Sequence, residues 1–130
     1  MAASDNNEFK KYETEAEEKW GKTQAYQEYS EKTKNYSDNK MRGLANETDT
    51  IFAEFTECMK SHTPDSDKAQ SLVKALQEHI TENYYHCTNE ILSGLGQMYV
   101  YDERFRNNIN KHTDGTAEFV SKAIHIYCGK

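Results

Sequence analysis

The sequence predicts an all-α fold of six or seven helices, and three observations predict it. No segment shows sustained alternation of apolar and polar residues, so no strand is expected. Apolar residues recur instead at helical spacing from residue 41 onward. One Pro and six Gly in 130 residues leave few breakers to interrupt them. The helices are too many and too uneven for a simple four-helix bundle.

The elements follow in order. From Met1 to Gly43 there is no Leu, Ile or Val; the bulky apolar residues are Met1, Phe9, Tyr12, Trp20, Tyr26, Tyr29, Tyr36 and Met41. Glu, Lys, Gln and Ala make this stretch helix-competent, but it has little aliphatic surface to offset the entropy of ordering. It is therefore expected to be held weakly without a partner. Gly21 ends a first helix and Thr23 caps a second. Met41, Leu44, Thr48, Ile51, Phe52, Phe55 and Met59 mark a long amphipathic helix from about Asn39 to Ser61, capped by Ser37 or Asp38. Thr63-Pro64-Asp65 is a break, and Asp65 or Ser66 starts the helix bearing Ala69, Leu72, Val73, Leu76, Ile80 and Tyr84. Asn83-Tyr84-Tyr85-His86-Cys87 forms an aromatic corner. Thr88 caps a helix with Ile91, Leu92, Leu95, Met98 and Tyr99, and Asp102 a short one with Phe105 and Ile109. After a loop from Lys111 to Gly115, the last helix places Phe119, Val120, Ala123, Ile124 and Tyr127 on one face. The organisation expected is a flexible helical lid over residues 1–40 and a ligand-binding core over residues 41–130 of a single domain.

Charge excludes some partners. A net charge of -6 and a pI near 5.4 do not suit a surface that wraps phosphates, so any DNA contact needs another domain. No apolar run is long enough to span a bilayer, and the start of the chain has no signal-peptide pattern, so a cytoplasmic protein is expected. Cys58, Cys87 and Cys128 are odd in number and form no CxxC, which argues against a disulfide framework.

Catalytic and metal-binding patterns are weak. His79 and His86 are seven positions apart, and the corner between them ends the helix that would have to present both. His86 adjoins Cys87, but chain neighbours rarely face each other as a nucleophile and its base. There is no nucleophile elbow and no phosphate-binding glycine loop. The pattern requires no haem. The remaining signal is aromatic: nine Tyr, five Phe and one Trp. Tyr combines apolar area with a hydroxyl, which suits either a recognition site or the cover of a shallow core.

Several stretches resemble a known family. Glu15-Ala16-Glu17-Glu18-Lys19-Trp20-Gly21-Lys22-Thr23-Gln24-Ala25-Tyr26 and Glu31-Lys32-Thr33-Lys34-Asn35-Tyr36-Ser37 are similar to the opening of the TipA-type antibiotic-recognition domain of MerR-family transcriptional regulators. Leu95-Gly96-Gln97-Met98-Tyr99-Val100-Tyr101-Asp102-Glu103-Arg104-Phe105, followed by Asn108-Ile109, is the most specific match, and the aromatic corner also has a family counterpart. The resemblance runs from about Tyr12 to Tyr127. It implies a globin-like helical bundle without haem, no cofactor and no enzymatic activity. It implies binding of a thiopeptide or an albicidin-like drug, by the effector half of a regulator or by a free drug-sequestering domain. Neither the winged-helix DNA-binding domain nor the coiled coil of a full regulator is within these residues. Some members capture thiopeptides covalently through a cysteine; Gly94 stands at that position here. Cys87 matches a neighbouring family cysteine and could serve if exposed and activated.

The site expected on these grounds is a cleft lined by Tyr84, Tyr85, His86 and Cys87 and by Met98, Tyr99, Tyr101 and Phe105. Trp20, Tyr26 and Tyr29 would close over an aromatic drug from the N-terminal side, coupling binding to folding. A protein-interaction module with an aromatic groove and a thiol-dependent enzyme are the alternatives.

Overall fold

A computed structural model describes residues 23–129 of the chain. Trp20 and the expected helix end at Gly21 lie outside the described residues. Within them there are six helices and no strand: α1 (Gln24–Thr33), α2 (Asp38–Met59), α3 (Asp67–Asn83), α4 (Asn89–Tyr101), α5 (Glu103–Asn110) and α6 (Thr116–Cys128).

Five helix starts obey local chemistry. The side chains of Thr23, Ser37, Ser66, Thr88 and Asp102 accept backbone N–H groups of the first turns of α1, α2, α3, α4 and α5. Each satisfies a donor that the helix itself leaves unpaired. The sixth start is different. Gly115 precedes α6 with φ at 92°, a left-handed conformation that a side chain would strain, and offers no side-chain cap. Asn110 of α5 does the capping instead, its Oδ1 accepting the Ala117 N–H at 2.9 Å.

The core gathers one face from each of α2 to α6. Phe55, Val73, Leu76, Leu92, Ile109, Val120 and Ile124 are almost wholly buried. α4 and α6 form the most extensive pairing, and α2, α3 and α5 all pack on α6. Gly96 permits the α4–α6 approach, since a Cβ there would stand 3.1 Å from Ile124 Cγ2. Phe55 meets Phe119 edge-on at 6.4 Å, and the buried hydroxyls of Thr56 and Thr116 pair at 3.0 Å, tying α2 to α6.

α1 stands apart from this scheme, for none of its residues is buried. That agrees with the lack of Leu, Ile and Val before position 44. Among the described residues, no helix is long and apolar enough to cross a membrane.

Candidate functional site

α3 ends at Asn83, and the chain turns sharply before α4 begins at Asn89. The turn is pinned from several sides. Ile80 O accepts the N–H groups of Tyr84 (2.9 Å) and Tyr85 (3.2 Å). Thr81 Oγ1 accepts the Cys87 N–H at 3.1 Å. Gln77 donates from Nε2 to Cys87 O and to Asn89 Oδ1, each at 2.9 Å, while its Oε1 accepts from the Tyr127 hydroxyl at 3.0 Å. With every polar atom of the Gln77 amide used, the corner is a fixed platform.

On that platform the aromatic residues assemble. Tyr84 is half-buried, with Tyr29 of α1 stacked on it at 6.1 Å between ring centroids and 30° between planes. Tyr26 lies beside Tyr29 at 6.0 Å. His79 meets Tyr84 edge-on at 5.9 Å. The His79 ring is oriented by Thr48 of α2, at 2.9 Å from Nε2, and by Asn83 Nδ2, at 3.3 Å from Nδ1. The Thr48 hydroxyl is bonded on to Leu44 O at 3.1 Å, which ties the ring to the α2 backbone. Burial raises the Tyr84 phenol above its ordinary value, so it stays neutral through physiological pH.

The other expected site residues divide. Tyr99 is buried in the core, edge-on to Phe52 at 5.5 Å and near Phe105 at 6.0 Å. Met98, Phe105 and Tyr85 are partly buried against that same core. Tyr101 is 83% exposed and faces solvent at the end of α4. His86 is exposed beside a shallow, open groove along α3 that also reaches Glu78, Glu82 and Asn89. A second shallow groove lies between α4 and α6, against Ser93, Gln97 and His125. Neither groove takes in Met98, Tyr99 or Phe105.

Cys87 is neither exposed nor activated: its side chain is buried, and burial, with the nearby Cys128 thiol adding a little, pushes its pKa up to about 11. A thiol so rarely ionised is a poor nucleophile. Among the described residues, no group of three or more His, Cys, Asp or Glu side chains is placed to hold a metal ion.

Sequence reasoning did not find the polar contacts that seat α1. Lys32 Nζ donates to Thr81 O at 2.9 Å, the Tyr36 hydroxyl donates to Asn83 O at 2.8 Å, and Glu28 Oε2 accepts the His86 N–H at 3.2 Å.

The model of the TipAS antibiotic-recognition domain matches residues 12–127. The HTH-type transcriptional activator mta of Bacillus subtilis is 38% identical over 117 residues, covering 90% of this chain and 45% of that protein. The HTH-type transcriptional activator TipA of Streptomyces coelicolor is 36% identical over 114 residues, covering 87% and 45%. The chain thus spans less than half the length of these relatives. Among solved structures, TipAS of Streptomyces lividans in complex with nosiheptide superposes with a TM-score of 0.83 at 33% identity, covering 92% of this chain and 85% of that one.

Proposed function

Because the chain belongs to the TipAS antibiotic-recognition domain family, we propose that it binds an aromatic, thiopeptide-like antibiotic at the junction of α1 with the corner between α3 and α4. The stack of Tyr29 on Tyr84 carries this reading. It places aromatic side chains from two separate segments on one rigid platform, as recognition of flat heterocycles needs. Tyr26 extends the aromatic surface on the α1 side, and Tyr85 and His86 extend it on the corner side. Met98 and Phe105 support the site through the core. TipAS of Streptomyces lividans has been solved with nosiheptide, and this chain presents a similar fold to a ligand of that class.

The protein acts as a binder, not an enzyme. The thiol beside His86 is buried and protonated, which favours reversible over covalent capture. An acidic domain of this kind serves a cytoplasmic MerR-type regulator, whose attached domain would touch DNA, or sequesters the drug by itself.

Trp20 is the sole tryptophan, and it lies just before α1. Titration with nosiheptide and with albicidin, followed by its fluorescence and by far-UV circular dichroism, is expected to give a saturable signal with one of them. No change in either signal with either compound would overturn the antibiotic assignment and favour a protein partner.

A further inference from the structure

Two thiols meet where the end of α6 packs against the start of α4. Cys87 Sγ lies 3.9 Å from Thr88 O, and Cys128 Sγ donates to Asn89 O at 3.3 Å. Thr88 and Asn89 are consecutive residues at the start of α4, and the carbonyls of a helix point the same way along its axis. Two sulfurs bonded to adjacent carbonyls are therefore near neighbours. The Gln77 amide ties the same two segments together a second time. It donates to Cys87 O at 2.9 Å and accepts from the hydroxyl of Tyr127, the residue before Cys128, at 3.0 Å. Cys128 also opposes the ionisation of Cys87, an electrostatic effect that fades with distance.

The two thiols differ in access. Cys87 is 3% exposed, whereas Cys128 is partly exposed at the end of α6. An S–H group is a weak donor, so either thiol leaves its carbonyl at little cost. The third free thiol, Cys58, is buried in α2.

We propose that Cys87 and Cys128 are a redox pair that closes to a disulfide, fastening the end of α6 to the corner between α3 and α4. This oxidation site is independent of the drug-binding reading. The oxidant is a small disulfide of the glutathione class. Cys128, the accessible thiol, attacks one sulfur of that disulfide as its thiolate; the S–S bond breaks, and one glutathione leaves and takes up the proton that Cys128 lost. The Cys87 sulfur then attacks the Cys128 sulfur of the mixed disulfide. The second glutathione leaves for solvent with the proton of Cys87. Two protein thiols are oxidised and one glutathione disulfide is reduced to two thiols. Both protein thiols are raised by burial, so the exchange is slow and answers to sustained oxidation. The new bond closes a long loop that runs through α4, α5 and α6, which restricts the unfolded chain.

Oxidation of the folded, reduced full chain by glutathione disulfide, without denaturant, tests the pair. The expected product is a monomer lighter by two hydrogens, with Cys87 linked to Cys128 in unreduced peptides and Cys58 free. Its Tm should exceed that of the reduced protein by about 5 °C or more, and dithiothreitol should reverse the change. In Cys87→Ser, glutathione is expected to remain on Cys128. In Cys128→Ser, altered only at a partly exposed helix end, Cys87 should stay free over the same period. That variant keeps the test open should Cys87→Ser not fold. A parent protein that stays fully reduced, or stops at a glutathione adduct on Cys128, would overturn the pair. So would a link to Cys58, or a link that forms only in urea. A Tm lowered by the disulfide would mean that the sulfurs meet only through distortion, and would overturn the fastening of α6 to the corner.

Discussion

Asn110 and Ala117 face each other across the loop between α5 and α6, and the amide oxygen of Asn110 accepts the Ala117 N–H at 2.9 Å. This bond replaces the cap that Gly115 cannot supply. Asn110→Ala leaves that donor unpaired in a half-buried place and is expected to cost about 1 kcal/mol. Asn110→Asp keeps the acceptor and sets a negative charge against the start of α6, so it should retain most of the stability. Urea melts of the two variants check this. Equal losses would show that the bond contributes nothing.

Two glycines of α4 should respond to alanine in opposite directions. A Cβ on Gly96 would meet Ile124 Cγ2 at 3.1 Å and Cβ at 3.3 Å, and Ile124 is only 1% exposed with no room to yield. Gly96→Ala is expected to cost about 1–3 kcal/mol by overpacking. A Cβ on Gly94 meets nothing within 4 Å. Gly94→Ala should therefore stabilise the helix by up to about 1 kcal/mol. Thermal melts of the pair test whether α4 and α6 approach as closely as described.

The contrast between these sites and the caps shows what the sequence could disclose. Thr23, Thr88 and Asp102 were legible as helix starts, and Ser66 as one of two candidates beside Asp65, because a cap acts on a backbone group two or three residues away. The α2 helix was legible from its apolar spacing to within two residues at either end, Asp38–Met59 against an expected Asn39 to Ser61. Asn110 was not legible, because it reaches its donor across a turn whose path no local pattern reveals. The same limit applied at the site. The aromatic corner and the tyrosines of α1 were visible as residues, but the roles of Lys32 and Tyr36 depend on where the last carbonyls of α3 come to lie in space. Nor could spacing separate Tyr84, on the platform, from Tyr99, buried against Phe52. Both are aromatic residues near helix ends, and only packing tells them apart.

The cysteines make a chemical prediction. With its pKa near 11, Cys87 is ionised to roughly one part in a thousand at pH 8. Cys128 is also raised by burial, yet it is partly exposed at the end of α6. Brief iodoacetamide treatment of the folded protein should label Cys128 well before Cys87, as read by peptide mass spectrometry. Cys87→Ser should leave nosiheptide affinity within a few-fold. A loss of binding with an otherwise intact fold would restore covalent capture.

Asp49 gives α2 a pH-dependent tie to the loop before α6. Its Oδ1 receives Lys111 Nζ and His112 Nε2, each at 3.0 Å. Burial opposes ionisation of this carboxyl, but the hydrogen bonds and charge of Lys111 and His112 outweigh it and hold the pKa below its ordinary value. A carboxyl depressed in the folded state contributes stability above its unfolded value, about 3.9, and loses that contribution as pH falls through the folded one. The side chain is 39% exposed, so solvent screening keeps the contribution under about 1 kcal/mol. Asp49→Asn should therefore be slightly less stable than the parent at about pH 7 in low salt, and the gap should narrow in acid as the parent carboxyl becomes protonated too. Urea melts at the two pH values decide it. A gap that persists unchanged in acid would mean that shape and hydrogen bonding at position 49, not its charge, hold the loop to α2.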